Sequence, residues 1–407
     1  MRVLLSTIGS RGDVQPIVGL ATALQALGQE VHLCVPPDFR EWIEGLGMSA
    51  TPVGPEVRST GKASPSAAPP TPEQRQRMVD DSIATQFAQI TPAARGCDVI
   101  VGATALQIAA RSIAERMGIP YVFAAYCPAV LPSPHHAPPP YTVMRDAPTP
   151  APAEYPALWA RDAERFGGLF GPALNAHRAS LGLAPVDDVR GHIFTDRPWL
   201  AADPTLGPWP DAEDPAVFQT GAWILPDERR LAPELEAFLD GGEPPVYFGF
   251  GSARAPHDLA GVMIASARAL GRRAIVSRGW ADLSLVDGAA DCLAIGEVNQ
   301  QSLFRRVAAV VHHGGAGTTT AAARAGAPQV VVPQLFDQHY WAHRVDELGI
   351  GAAHAAGTPT ADSLTSALAR ALAPDVAARA RSVAASVRDD GAYVAARQLV
   401  AMACPTA

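Results

Sequence analysis

The sequence predicts an α/β protein of two doubly wound, Rossmann-like domains, and three observations point there. At 407 residues the chain exceeds what one hydrophobic core ordinarily serves. It opens on an apolar strand, a Gly/Ser turn and an amphipathic helix, and the same grammar restarts beyond residue 240. Between the two openings lies "DPTLGPWPDAEDP" (203–215), rich enough in Pro and Asp to be a connector.

The chain begins "MRVLLSTIGSRGDVQPIVGLATALQALGQEVHLCVPP". Residues 3–6 read as a buried strand. Ile17, Leu20, Ala21, Leu24 and Leu27 then share one helical face. Pro16 suits the first turn of that helix and Gly28 its C-terminal cap. "EVHLCV" supplies the next strand, which makes a β-α-β unit. Repeats of that unit imply a parallel sheet with helices on both faces. "DVIVGAT" (98–104) and "IPYVFAAY" (119–126) continue it, with "LQIAARSIAERMG" as the helix between them.

The second opening is "PPVYFGFGSAR" (244–254), and "RRAIVSRGW", "AAVVHHGG" and "QVVVPQ" give its later strands. Two segments break the alternation. Residues 54–74 and 127–156 are proline-rich and read as long loops, the kind that serve as lids, binding loops or disordered stretches. The first stays open between function and disorder. The second offers Tyr126, Tyr141, His135 and His136 to a ligand. The tail reads as one or two helices broken near Gly391.

Composition excludes several classes. A net charge of −8, with arginines scattered rather than clustered, argues against a nucleic-acid partner. The five cysteines are odd in number and lack CxxC spacing, which argues against disulfide pairing and structural zinc. "VLL" at the start is too short for a signal-peptide core, and no apolar run is long enough for a membrane span. The expectation is a soluble, cytoplasmic protein.

The chemistry is densest in "VVHHGGAGTTTAAARAGAPQVVVPQLFDQ" (310–338). A strand ends at His312 and His313, turns through Gly314, Gly315 and Gly317, and becomes a helix around Thr318. Free amides at a helix start attract anions, and the glycines let a diphosphate approach the backbone. A histidine at the strand end adds a donor, or a charge when protonated. The plainer reading is a tight β-α connection that holds nothing.

Metal readings are weaker. Adjacent strand residues point to opposite faces, so His312 and His313 cannot share a metal without distortion. His339 and His343 are spaced i, i+4, but "HYWAH" lacks a zincin glutamate. Walker A, GxSxG and a full GxGxxG are absent. Asp13, at the end of the first strand, sits where α/β enzymes place ligands. It reads either as a dipole-stabilised helix carboxylate or as a general base.

These residues resemble the family 1 glycosyltransferases of the two-Rossmann-domain GT-B class, and most of all the enzymes that decorate vancomycin/teicoplanin-type glycopeptide aglycones. The resemblance spans essentially the whole chain, through "MRVLLSTIGSRGDVQP", "TDRPWLAADP", "QTGAWILPDER", "VYFGFGS", "SRGWADL", "GEVNQQSLFRRVAAVVHHGGAGTT" and "VVVPQLFDQ". It implies an acceptor-binding domain over 1–205 and a nucleotide-sugar domain over 206–389, facing across a cleft. A C-terminal helix at about 390–407 would pack back on the first. His313 and the backbone of Gly315, Gly317 and Thr318 would hold the donor diphosphate, with Ser10 and Ser252 touching phosphate. Trp280 would pack the nucleotide base, and Val298 would hydrogen-bond it through its backbone. Asp337 and Gln338 would grip the sugar hydroxyls, and Tyr126, Tyr141 and His135 would meet the acceptor. Trp280 alone is equally a core aromatic.

The implied reaction is inverting transfer of a hexose, glucose foremost, from a UDP- or dTDP-sugar to a phenolic hydroxyl of the heptapeptide aglycone. Asp13 would be the base. The resemblance implies no tightly bound cofactor, no metal requirement and a monomer. Alternatives are transfer of N-acetylglucosamine or a deoxysugar, a nucleotide-sugar epimerase or hydrolase on the same fold, and a non-enzymatic activator of another transferase.

Overall fold

The computed structural model describes residues 1–58, 71–140, 151–211, 216–251, 259–280, 282, 283, 285, 287–355 and 357–403. The first parallel sheet is formed by β1 (Arg2–Thr7), β2 (Glu30–Val35), β3 (Ser49–Pro52), β4 (Val99–Ala103), β5 (Tyr121–Ala125), β6 (Trp199–Leu200) and β7 (Phe218–Gln219). Their order is β3-β2-β1-β4-β5-β6-β7. The second is formed by β8 (Val246–Gly249), β9 (Ala274–Ser277), β10 (Cys292–Ile295), β11 (Ala309–His312), β12 (Gln329–Val331) and β13 (Gly351–Ala353). It runs β10-β9-β8-β11-β12-β13.

Helices of the first half are α1 (Arg11–Ala26), α2 (Arg40–Gly45), α3 (Pro72–Ala93), α4 (Ala110–Met117), α5 (Tyr155–Ser180) and α6 (Val189–Phe194). Those of the second are α7 (Pro233–Asp240), α8 (Leu259–Ala269), α9 (Gln300–Leu303), α10 (Ala316–Arg324), α11 (Gln338–Glu347), α12 (Ala361–Ala371), α13 (Pro374–Ala384) and α14 (Gly391–Ala403). The strands expected from apolar runs are present. β1 and β4 are buried along nearly their whole length, as a parallel sheet covered on both faces requires.

Three features differ from the sequence reading. The proline-rich stretch 54–74 ends in a helix start: the Thr71 hydroxyl accepts from the Gln74 amide at 3.2 Å, and the Gln74 side chain accepts from the Thr71 amide at 2.8 Å. Pro72 follows as the first helical residue, so "TPEQ" is a capping box. Second, β7 pairs with β6 in the first sheet, although it lies past residue 205. A two-residue strand carries no periodicity by which a sequence reveals it. Third, α10 begins at Ala316, one turn-fraction earlier than Thr318.

Both sheets reverse their strand order once, between β1 and β4 in the first and between β8 and β11 in the second. Loops leaving the carboxyl ends of strands at such a point diverge and leave a crevice. The turn after β1 carries Ser10 and Asp13; the turns after β8 and β11 carry Gly251 and His313. One apolar cluster runs through both domains, joining Leu4, Ile100 and Phe123 to Val331, Trp341 and Ile350. The tail crosses back: Ala392, Ala395, Ala396 and Leu399 of α14 pack with Val14, Ile17 and Leu24 of α1.

Candidate active site

Asp13 is the third residue of α1 and closes a capping box with Ser10. The Ser10 amide donates to its Oδ2 at 2.7 Å and the Ser10 hydroxyl to the same oxygen at 3.2 Å. A methyl group on Gly9 would lie 2.2 Å from that Oδ2, so only glycine lets the carboxylate fold back here. Both bonds converge on Oδ2, and Ser10 makes none to Oδ1. Burial pushes the Asp13 carboxyl up to about 6, against the pull of Ser10. A residue in that range takes protons far more readily than an ordinary carboxylate does. Ser10, expected at the phosphate, is engaged with Asp13 in this geometry. Both protons Ser10 can donate are spent on Asp13.

From the second domain, His313 leaves β11 between two glycine turns. Its Nε2 would lie 2.7 Å from a methyl group on Gly315, and its Cε1 3.4 Å from one on Gly251. Burial pushes the imidazole down to about 4, although the Gly249 carbonyl favours the protonated ring. That carbonyl stands outside hydrogen-bond geometry for Nδ1. Burial thus favours the neutral form of the His313 ring. The first bond of α10 runs from the Thr319 amide to the Gly315 carbonyl at 3.0 Å, and no side chain caps the helix. The amides of Ala316, Gly317 and Thr318 are thus available beside the His313 ring, as an anion site requires.

His312 has another task. Fully buried, it accepts from the Gly314 amide at 3.1 Å through Nδ1, so Nε2 carries the proton and donates to Gln329 Oε1 at 2.9 Å. It shapes the turn that presents His313.

Asp337 follows Phe336, whose φ of 51° is unusual for a bulky residue and turns the chain sharply before α11. Its carboxyl is pushed up to about 6, first by burial and then by the charge on Asp13, while a bond from Trp341 works the other way. The Trp341 indole N–H donates to Asp337 Oδ2 at 3.1 Å. Gln338 Oε1 accepts from the amides of Gln334 at 2.7 Å and Leu335 at 3.0 Å, which leaves its NH2 group for a ligand oxygen.

The remaining expected residues divide. The Trp280 amide donates to the Gly251 carbonyl at 2.9 Å, and its ring lies partly buried against the first domain's apolar cluster. Val298 lines a hollow of about 390 Å³ with Ile295, Glu297, Asn299 and Arg278. Tyr126 spends its hydroxyl on the Asp13 carbonyl at 3.0 Å, and so braces the start of α1. His135 is exposed, whereas His136 turns inward between the edges of Trp159 and Trp209. Tyr141 and Ser252 lie outside the described residues.

Two further residues escaped the sequence reading. Arg11, stacked 3.6 Å over the Trp42 ring, reaches Glu297 of the second domain at 3.0 Å. Trp341 carried a usable signal, standing one helical turn after Asp337 in "DQHYW".

Two parallel-sheet domains that meet at their switch points define a GT-B glycosyltransferase. Comparisons agree in fold: a glycosyltransferase of kitacinnamycin has a TM-score of 0.73 at 21% identity over 99% of both chains. Glycosyltransferase VinC with dTDP gives 0.69 at 22%, again over 99% of both. The glycosyltransferase family 28 N-terminal domain matches residues 3–133, and the erythromycin biosynthesis protein CIII-like C-terminal domain matches residues 283–404.

Relatives are more specific. The vancomycin aglycone glucosyltransferase of Amycolatopsis orientalis is 53% identical over 402 residues, covering 98% of this chain and 97% of that protein. The dTDP-epi-vancosaminyltransferase of the same organism is 46% identical over 391 residues, 94% and 93% of the two chains. The chain belongs to the sugar-nucleotide-dependent glycosyltransferases, in the group that contains these glycopeptide enzymes. Among the described residues no helix is long and apolar enough to cross a membrane.

Proposed function

We propose that the enzyme moves glucose, with inversion, from a nucleoside diphosphate to a phenolic hydroxyl of a vancomycin-type heptapeptide aglycone. The observation that carries this reading is a proton-accepting carboxylate of one domain set against an anion-binding helix start and a second carboxylate of the other. The 53% identity to a vancomycin aglycone glucosyltransferase supports the acceptor class.

The diphosphate lies at the amides of Gly315, Ala316, Gly317 and Thr318, with His313 Nε2 as a further donor. The base occupies the edge between Trp280 and the backbone of Val298. Asp337 accepts from sugar hydroxyls and the Gln338 NH2 donates to one. Asp13 Oδ1 accepts the phenol proton while the phenol oxygen attacks the anomeric carbon from the side opposite the diphosphate. The bond from that carbon to the phosphate oxygen breaks, and its electron pair leaves with the nucleotide. A phenol titrates near ~10, so proton removal accompanies attack rather than preceding it. The helix dipole, its amides and His313 stabilise the charge that grows on the diphosphate. In this account they, rather than a divalent ion, carry that task.

Mass spectrometry of vancomycin aglycone incubated with UDP-glucose, dTDP-glucose, UDP-N-acetylglucosamine and a dTDP-deoxysugar tests the proposal. The expected result is one added hexose. A product bearing only the amino or deoxy sugar would replace the donor, and nucleotide release without any product would favour hydrolysis.

A further inference from the structure

The carboxylate that meets the sugar does not stand on its own domain alone. Trp341, 1% exposed, holds Asp337 Oδ2 through its indole N–H at 3.1 Å. The far edge of the same ring enters the first domain. A methyl group on Gly207 would lie 2.9 Å from Trp341 Cη2, 3.2 Å from Cζ3 and 3.3 Å from Pro128 Cδ. Gly207 is therefore the seat of the indole, and no larger residue leaves room for it.

That seat is built with care. Asp203, 1% exposed, accepts from the Thr205 and Leu206 amides at 2.8 and 3.2 Å, while its own carbonyl accepts from the Gly207 amide at 2.8 Å. Its second carboxylate oxygen accepts from the Arg388 amide at 2.8 Å. One turn beyond Trp341, Arg344 donates to the carbonyls of Leu206 at 2.8 Å and Thr205 at 3.2 Å. The turn 203–207 thus clamps α11 at two points, the ring and the guanidinium.

We propose that Trp341 is a positioning residue that couples the docking of the two domains to the orientation of the Asp337 carboxylate: Gly207 fixes the ring, and the ring fixes the acid. The inference rests on the reading of Asp337 as the sugar-gripping group. The bond is made to the charged form of the acid, so losing it raises the pH at which Asp337 ionises. The charge of Asp13 on α1 acts on Asp337, and Asp337 acts on Cys127 after β5; Tyr340 stands beside Cys127, with Arg344 and Glu347 beside Tyr340.

The test uses the full-length enzyme with UDP-glucose and vancomycin aglycone, or dTDP-glucose if that is the donor turned over. Trp341→Phe removes the N–H together with Cζ3 and Cη2, the ring atoms that sit on Gly207, and so breaks both links at once. It is expected to lower kcat/KM for the sugar nucleotide about tenfold, the scale of one hydrogen bond to a charged group. It should also move the acid limb of the pH profile upward and leave UDP affinity unchanged. Gly207→Ala keeps the N–H and displaces the ring, and should shift kcat/KM and the acid limb in the same directions. In an Asp337→Asn background, Trp341→Phe should add nothing.

An unshifted Trp341→Phe enzyme beside an impaired Asp337→Asn enzyme would overturn the coupling alone. An Asp337→Asn enzyme equal to wild type would overturn the reading of Asp337, and the coupling with it. An acid-limb shift that persists in the Asp337→Asn background would show that Trp341 acts elsewhere. A folded Gly207→Ala enzyme with wild-type behaviour would remove the first domain from the chain of causes. Should Gly207→Ala fail to fold, the Trp341→Phe results still decide.

Discussion

The carboxylates of Asp13 and Asp337 stand close enough that the charge on the first raises the proton affinity of the second, although they arise from different domains. Each is pushed up to about 6 chiefly by burial. Burial is the larger cause, and the charge of Asp13 adds to it at Asp337.

Asp13→Asn retains an oxygen for the Ser10 amide but cannot take a proton. Turnover should fall at least ~10²-fold, the low end of what acid–base catalysis contributes. UDP affinity by isothermal titration should stay within about twofold, because the diphosphate site lies on the other domain. Near-normal turnover would remove Asp13 from the chemistry.

The same substitution should stabilise the fold. The folded-state pKa of Asp13 is raised above its ordinary value of 3.8, so the ionised form is disfavoured in the folded protein. Folding stability is therefore lost as pH rises through about 6 and is recovered below about 4. Asp13→Asn should melt higher than wild type at pH 8, with the gain shrinking as pH falls toward 4. An equal or lower melting temperature at pH 8 would contradict the burial of that charge. For activity the sign is the reverse: the base form disappears below about 6, so kcat should decline on the acid side.

Much of this arrangement was legible in the chain. Strand, glycine turn and helix appear in order at both openings, and His313, Gly315 and Gly317 mark the start of α10, where the anion site is proposed. Asp13 was legible as either a cap or a base, and it proves to be a cap engaged with Ser10 through Oδ2. The bonds from Ser10 to Asp13 were not legible, because a residue type alone does not say where its protons go. What stayed hidden are contacts between distant segments: Tyr126 on the Asp13 carbonyl, Arg11 on Glu297, Trp341 in the seat at Gly207. Periodicity reports which face of an element is buried and not what covers it.

At the diphosphate site, Gly315→Ala sets a methyl group 2.7 Å from His313 Nε2, in the path of the approaching phosphate. Both it and His313→Ala should weaken UDP binding by about tenfold or more, the scale of one charge-assisted hydrogen bond. The melting transition should stay cooperative. Unchanged affinity in both variants would move the phosphates elsewhere.

If helix amides and the His313 imidazole carry the diphosphate's charge, as proposed, the reaction needs no added divalent ion. Turnover measured in excess EDTA should remain within about twofold of that in magnesium. A collapse in EDTA that magnesium restores would show that an ion shares the diphosphate's charge.

We propose that the start of α10 and His313 hold the leaving group while Asp13 addresses the acceptor. A crystal structure with UDP and vancomycin aglycone bound tests it directly. Phosphate oxygens are expected within hydrogen-bond distance of the Gly317 and Thr318 amides and of His313 Nε2, and a phenol oxygen at Asp13 Oδ1. Phosphates bound away from that helix, or a phenol beyond reach of Asp13, would contradict it.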